Sequence, residues 1–226
     1  MRKKHYILIL ALILISVLAF LFCKTDEKLK GTWIGEYSTN TDNSDFKVIN
    51  AIPNLLTFKN KRCYSKGSKF TYGTKIRESN YMFFSDNIIF ESGKYFNDYE
   101  QIEILKLEND SLVLKNQNTG SFLKIYRKLS DTLKHNQKIK LTGKKFFWKN
   151  KFFQDTIHFK NDSILISISN KNPKFSTLWE RINYNGFDIL FIDGDVPYLI
   201  KNQNGNSINL LTFHKEPLEH IMTEIE

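Results

Sequence analysis

The chain has 226 residues and 41% apolar content, enough to bury a core and too apolar for a disordered tail. It is basic, with 33 Lys+Arg against 24 Asp+Glu, but only five of those cations are Arg, a weak signal for nucleic acid. Beyond the first 23 residues Ala51 is the one alanine, whereas Ile, Phe and Tyr abound; this excludes a helix bundle or coiled coil, and two cysteines exclude a disulfide scaffold.

The N-terminus opens MRKKH, and Tyr6 to Cys23 is an unbroken run of 18 weakly polar or apolar residues. As a helix the run would be about 27 Å long, close to the roughly 30 Å of a bilayer core. Three fates fit it. Clean secretion needs small residues before the cut, and the fair pair Val17 and Ala19 lies inside the apolar run. Lipidation would use Cys23, although Phe22 replaces the small residue that normally precedes such a cysteine. An uncleaved anchor needs neither feature. The expectation is a signal-anchor over residues 1–23, contacting the membrane through residues 6–23 and leaving 24–226 outside the cytoplasm.

From residue 29 onward the chain reads as short strands and polar turns. Thr32–Tyr37, Leu55–Lys59, Tyr81–Phe84, Ile88–Glu91, Ile102–Leu107, Leu112–Lys115 and Phe122–Arg127 have strand length and composition. Lys144–Trp148, Thr156–Lys160, Ile164–Ser169, Leu178–Asn183, Phe187–Ile192, Tyr198–Lys201 and Ile208–His214 continue the pattern. Sequential hairpins of this kind predict an all-β, antiparallel up-and-down meander that closes into a barrel or a strongly curled sheet.

Internal repeats suggest a duplication. Lys115-Asn116-Gln117-Asn118 returns as Lys201-Asn202-Gln203-Asn204, Leu29-Lys30-Gly31 as Leu141-Thr142-Gly143, and Asn109-Asp110-Ser111-Leu112 as Asn161-Asp162-Ser163-Ile164. Ser130 to Lys140 is polar and divides a β domain over 24–130 from a diverged one over 140–226. It is either a linker or a bridge within one continuous sheet. Pro217 followed by Leu218, Ile221, Met222 and Ile225 at helical spacing predicts a short C-terminal helix.

Leu29-Lys30-Gly31-Thr32-Trp33-Ile34-Gly35-Glu36-Tyr37 resembles the G-x-W opening strand of lipocalins, and residues 29–129 resemble lipocalin-like domains of bacterial envelope proteins. The resemblance implies an eight-stranded up-and-down barrel and a clasp in which a basic residue of the last strand, here Arg127, stacks on Trp33. The second half departs from it, with Lys145 two places after Gly143.

No nucleophile elbow, phosphate-binding glycine loop or H-E-x-x-H occurs, and the histidines are scattered, so no enzyme, cofactor or metal site is expected. Trp33, Gly35 and Tyr37 share one strand face, with space above the glycine. Tyr81 and Phe83, or Met82 and Phe84 in the other register, add a second aromatic pair. These residues mark a candidate cavity for a small hydrophobic ligand. The run from Lys144 to Phe153 interleaves lysines with five aromatics, which could stack bases, sit at a membrane interface or form a strand of alternating burial. The scarcity of Arg and the expected location outside the cytoplasm speak against nucleic acid, and no nucleic-acid partner is expected. The resulting expectation is a membrane-anchored, lipocalin-like protein of the bacterial cell envelope that binds a hydrophobic ligand or envelope component. The alternative is an interaction module without a cavity, meeting a protein partner through sheet edges or loops.

Overall fold

The computed structural model describes residues 6–7, 9–13, 26–40, 53–84, 87–90, 101–116, 122–135, 138–168, 175–193, 196–214 and 216–226. The first barrel comprises β1 (Gly31–Asn40), β2 (Leu55–Lys59), β3 (Arg62–Lys66), β4 (Arg77–Phe84), β5 (Asn87–Phe90), β6 (Gln101–Leu107), β7 (Ser111–Asn116) and β8 (Phe122–Lys128), with α1 (Lys69–Tyr72) between β3 and β4. Each strand pairs antiparallel with the next, and β8 returns to β1. The second comprises β9 (Lys145–Lys149), β10 (Gln154–Phe159), β11 (Ile164–Ser167), β12 (Phe175–Tyr184), β13 (Phe187–Ile192), β14 (Val196–Asn204), β15 (Ser207–His214) and β16 (Glu216–Ile225). It closes in the same manner, through β16 on β9. The fold is therefore all-β, in two closed meanders of the general lipocalin-like kind, not one continuous sheet.

Two expectations are corrected here. The C-terminal helix is a strand: residues 216–225 pair with β15 on one side and β9 on the other. Met222 faces the core and Ile221 and Ile225 face outward, so the helical spacing of the apolar residues was fortuitous. Two open ladders outweighed a weak local helix pattern. The membrane anchor is also withdrawn, since among the described residues no helix is long and apolar enough to cross a membrane. With it goes the support for membrane contact and for an outward-facing, envelope location. Cys23 lies outside the described residues.

The short repeats do not mark equivalent strands. The KNQN segment ends the seventh strand of the first barrel but the sixth of the second. The Asn-Asp-Ser turn joins strands six and seven in one barrel and two and three in the other. Leu29 and Leu141 do correspond, as each precedes the first strand of its barrel and is buried in that barrel's core.

Among the described residues each barrel encloses a core of buried side chains. Trp33, Leu56, Phe58, Tyr81, Leu112 and Tyr126 pack the first; Phe146, Trp148, Phe159, Trp179, Leu190 and Met222 pack the second. A third core lies between the barrels. Ile34 and Leu55, on the outer face of β1 and β2, pack with Tyr184, Phe187, Ile189, Phe191, Leu199, Leu211 and Phe213. Hence all six residues of β13 are buried, alternate ones facing the barrel and the seam. Polar bonds pin the seam: the Tyr184 hydroxyl donates to the Tyr64 carbonyl at 2.7 Å, and the Asn185 amide donates to Thr57 Oγ1 at 2.7 Å. The connector is packed too, placing Leu129 in the seam and Ile139 and Leu141 in the second core.

Inside the second barrel Asp188 is buried and takes a two-pronged bond from Arg181, Nε to Oδ1 at 2.7 Å and Nη2 to Oδ2 at 2.5 Å. Arg181 Nη1 also donates to the Ile139 carbonyl, tying the connector to the barrel base. Complete pairing is what makes such a buried charge tolerable. Phe191→Ala should open a hole in the seam and cost about 3–5 kcal/mol. Urea unfolding of the variant against the parent chain measures it.

Candidate functional site

The residues proposed to line a cavity sit in the first barrel, and those whose side chains are described are committed to packing. Trp33 is fully buried and its indole N–H donates to the Leu29 carbonyl at 2.7 Å, from the helical turn at 26–29 beneath the barrel. Tyr81 meets Phe58 edge-on at 5.3 Å, and its hydroxyl donates to Asp26 of the same turn. A side chain on Gly35 would meet the Asn54 backbone at 3.2–3.3 Å and Lys124 Cε at 3.0 Å. The side chains of Tyr37 and Phe83 lie outside the described residues.

The cation over Trp33 is Lys128, with Nζ 5.3 Å from the ring centroid. Register is the reason: Lys128 stands opposite Trp33 and shares its face, whereas Arg127 stands opposite Ile34 and its guanidinium meets Asp110 at 3.3 Å. Burial lowers the Lys128 pKa from its ordinary value. Burial likewise raises that of Cys63 well above the usual thiol range, leaving the thiol inert.

A different site emerges at one end of the second barrel. The run from Lys144 to Phe153 alternates in β9: Phe146 and Trp148 face inward, Lys145, Phe147 and Lys149 outward. The turn after β9 then carries Phe152 and Phe153 at the barrel rim. Trp148, Phe153 and Tyr198 form an edge-to-face cluster, with Trp148 5.3 Å from Phe153 and 5.4 Å from Tyr198. His220 of β16 lies among them, 5.2 Å from Tyr198. Its Nδ1 accepts from the Trp148 indole at 3.2 Å, and an Asn150 amide nitrogen lies equally close. That arrangement puts the proton on Nε2, which is 2.8 Å from Thr212 Oγ1. The neutral ring is thereby fixed, and burial lowers its pKa to about 4. Asp155, across from Trp148 on β10, is held by the Ser167 hydroxyl and the Thr156 N–H.

This cluster packs at the end of the barrel, where an apolar rim stays in solvent. Phe152 is 75% exposed, Phe175 56%, Val196 43% and Phe153 42%. Sequence reasoning had noticed the aromatic run without separating its buried members from its exposed ones. His220 reads from the sequence only as one of four scattered histidines, structural or solvated, because its partners lie up to 72 positions away. Among the described residues no group of His, Cys, Asp and Glu could hold a metal ion. Comparison with protein-family models and with curated proteins finds no match to this chain.

Two outcomes test these geometries. Gly35→Leu should overpack the first barrel and cost about 1–3 kcal/mol in urea unfolding. Lowering of the His220 pKa from 6.5 to about 4 means that the folded state binds fewer protons than the unfolded chain between those values. This contribution to stability is complete above pH 6.5 and declines as the pH falls towards 4. Urea midpoints measured across that range should decline less steeply for His220→Gln than for the parent chain.

Proposed function

We propose that this protein binds another polypeptide, acts without catalysis, and makes contact through the apolar rim of its second barrel. The observation that carries this reading is the exposure of Phe152, Phe153, Phe175 and Val196 at one end of a barrel whose described interior residues pack into a core. Large apolar side chains gathered on a surface are the usual mark of a docking site, and aromatic ones contribute most per residue. Packing of Trp148, Phe159, Trp179 and Met222 into that core favours this over carriage of a small hydrophobic molecule.

Closure of both meanders narrows how contact is made. Neither described sheet has a free edge, so strand addition to an edge is replaced by side-chain docking at the rim. Photo-crosslinking from position 152 of the full chain, in its native host, tests the reading. One discrete polypeptide adduct is expected, lost when Phe175 is changed to Ser and not formed from Lys160 as a control position. A Phe152 adduct pattern identical to that from Lys160 would remove the basis of this proposal.

A further inference from the structure

The outer face of β9 extends from that rim, and its chemistry points to a class of partner. Lys145, Phe147 and Lys149 project outward at successive alternate positions, about 7 Å apart. Ile221 of β16 stands directly opposite Lys149 on the same outer face and is 47% exposed. Beyond Lys149 the turn presents Lys151, whose Nζ lies 4.9 Å from the centroid of the exposed Phe152 ring. The surface is therefore a row of three lysines threaded with two phenylalanines and an isoleucine.

Among the described residues none of these three lysines makes an ion pair, and Glu219 and Glu224 of β16 and Asp155 of β10 each have other partners. Glu224 bonds Lys144 at 2.6 Å and Glu219 bonds Lys201 at 2.8 Å. Asp155 faces the barrel interior, where Ser167 and the Thr156 N–H hold it. Three like charges in a row repel one another slightly, and a partner bringing carboxylates relieves that repulsion while steering its own approach. The apolar residues between them reward a partner that alternates acidic with aliphatic or aromatic side chains. An aliphatic Ile221 is a poor platform for a nucleic-acid base, and β9, β16 and the turn after β9 contain no Arg to grip phosphate in two-pronged fashion.

We infer that the β9–β16 outer face and the adjoining turn bind an acidic, amphipathic polypeptide segment, its carboxylates on Lys145, Lys149 and Lys151 and its apolar side chains on Phe147, Ile221 and Phe152. This rests on the interaction reading above and adds the partner's chemistry to it.

Fluorescence anisotropy of the full chain with labelled decapeptides tests the inference. The main probe alternates glutamate with leucine; the comparison probes are its lysine–leucine counterpart, decaglutamate and decathymidylate. Saturable binding of the glutamate–leucine probe is expected, at least tenfold tighter than any of the others and weakening as salt rises. Lys145→Gln with Lys149→Gln, both exposed changes with circular dichroism as the folding check, should reduce that binding at least tenfold. Phe147→Ser should reduce it by a similar factor. No binding of the acidic probe, or binding unaffected by the lysine changes, overturns the inference. Tighter binding of decathymidylate overturns it in favour of nucleic acid. If the acidic probe fails while the position-152 adduct persists, the interaction reading stands and only the acidic partner class is lost.

Discussion

Closure of the second meander by β16 on β9 is the constraint on which much of the molecule depends. With β16 in place, β9 is hydrogen-bonded on both sides, the barrel has no edge, and its aromatic residues divide strictly between interior and surface. Had the last ten residues formed a helix, β9 and β15 would both have offered open edges. His220 would then have had no fixed place beside Trp148 and Thr212. One strand thus sets the barrel's closure, the state of its buried histidine and the direction in which Phe147 points.

The seam adds a second constraint. A strand buried on both faces has no surface to vary, and β13 meets that condition with six buried residues in a row. Its single charge, Asp188, faces the barrel interior, where Arg181 answers it with two parallel hydrogen bonds. The alternate residues Phe187, Ile189 and Phe191 join the two barrels through a core of their own. Because β12 to β15 turn towards the first barrel, the β9, β10 and β16 side of the second is left to face solvent. Phe147, Phe152 and Phe153 are exposed there, while Phe175 stands at the start of β12.

Function follows from where apolar area remains after both barrels and the seam have taken their share. The described side chains of both interiors pack into cores. Aromatic and lysine side chains around the β9–β10 turn stay exposed, and they are the surface on which the proposed binding rests. His220 rigidifies the base of that surface: a neutral imidazole bonded through both nitrogens holds Trp148 in one orientation, and Trp148 in turn supports Phe153.

Strand-length runs, polar turns and the scarcity of alanine beyond residue 23 determined by themselves that the chain would be an antiparallel β meander, since period-two burial and turn chemistry are local properties. The barrel's opening strand around Trp33 was legible for the same reason. Pairing was not. Whether Lys128 or Arg127 lies over Trp33 depends on a one-residue register that only the completed β1–β8 ladder sets. The fate of residues 216–225 depended on two partner strands distant in sequence, and their apolar spacing suited helix and strand alike. The apolar character of Phe187–Ile192, interrupted only by Asp188, did carry a hint of burial on both faces, though not of what would cover it. The aromatic run after Lys144 was visible as composition. Only the tertiary structure decided which of its rings are buried, because an alternating strand exposes half its side chains to whatever the neighbouring strands leave open.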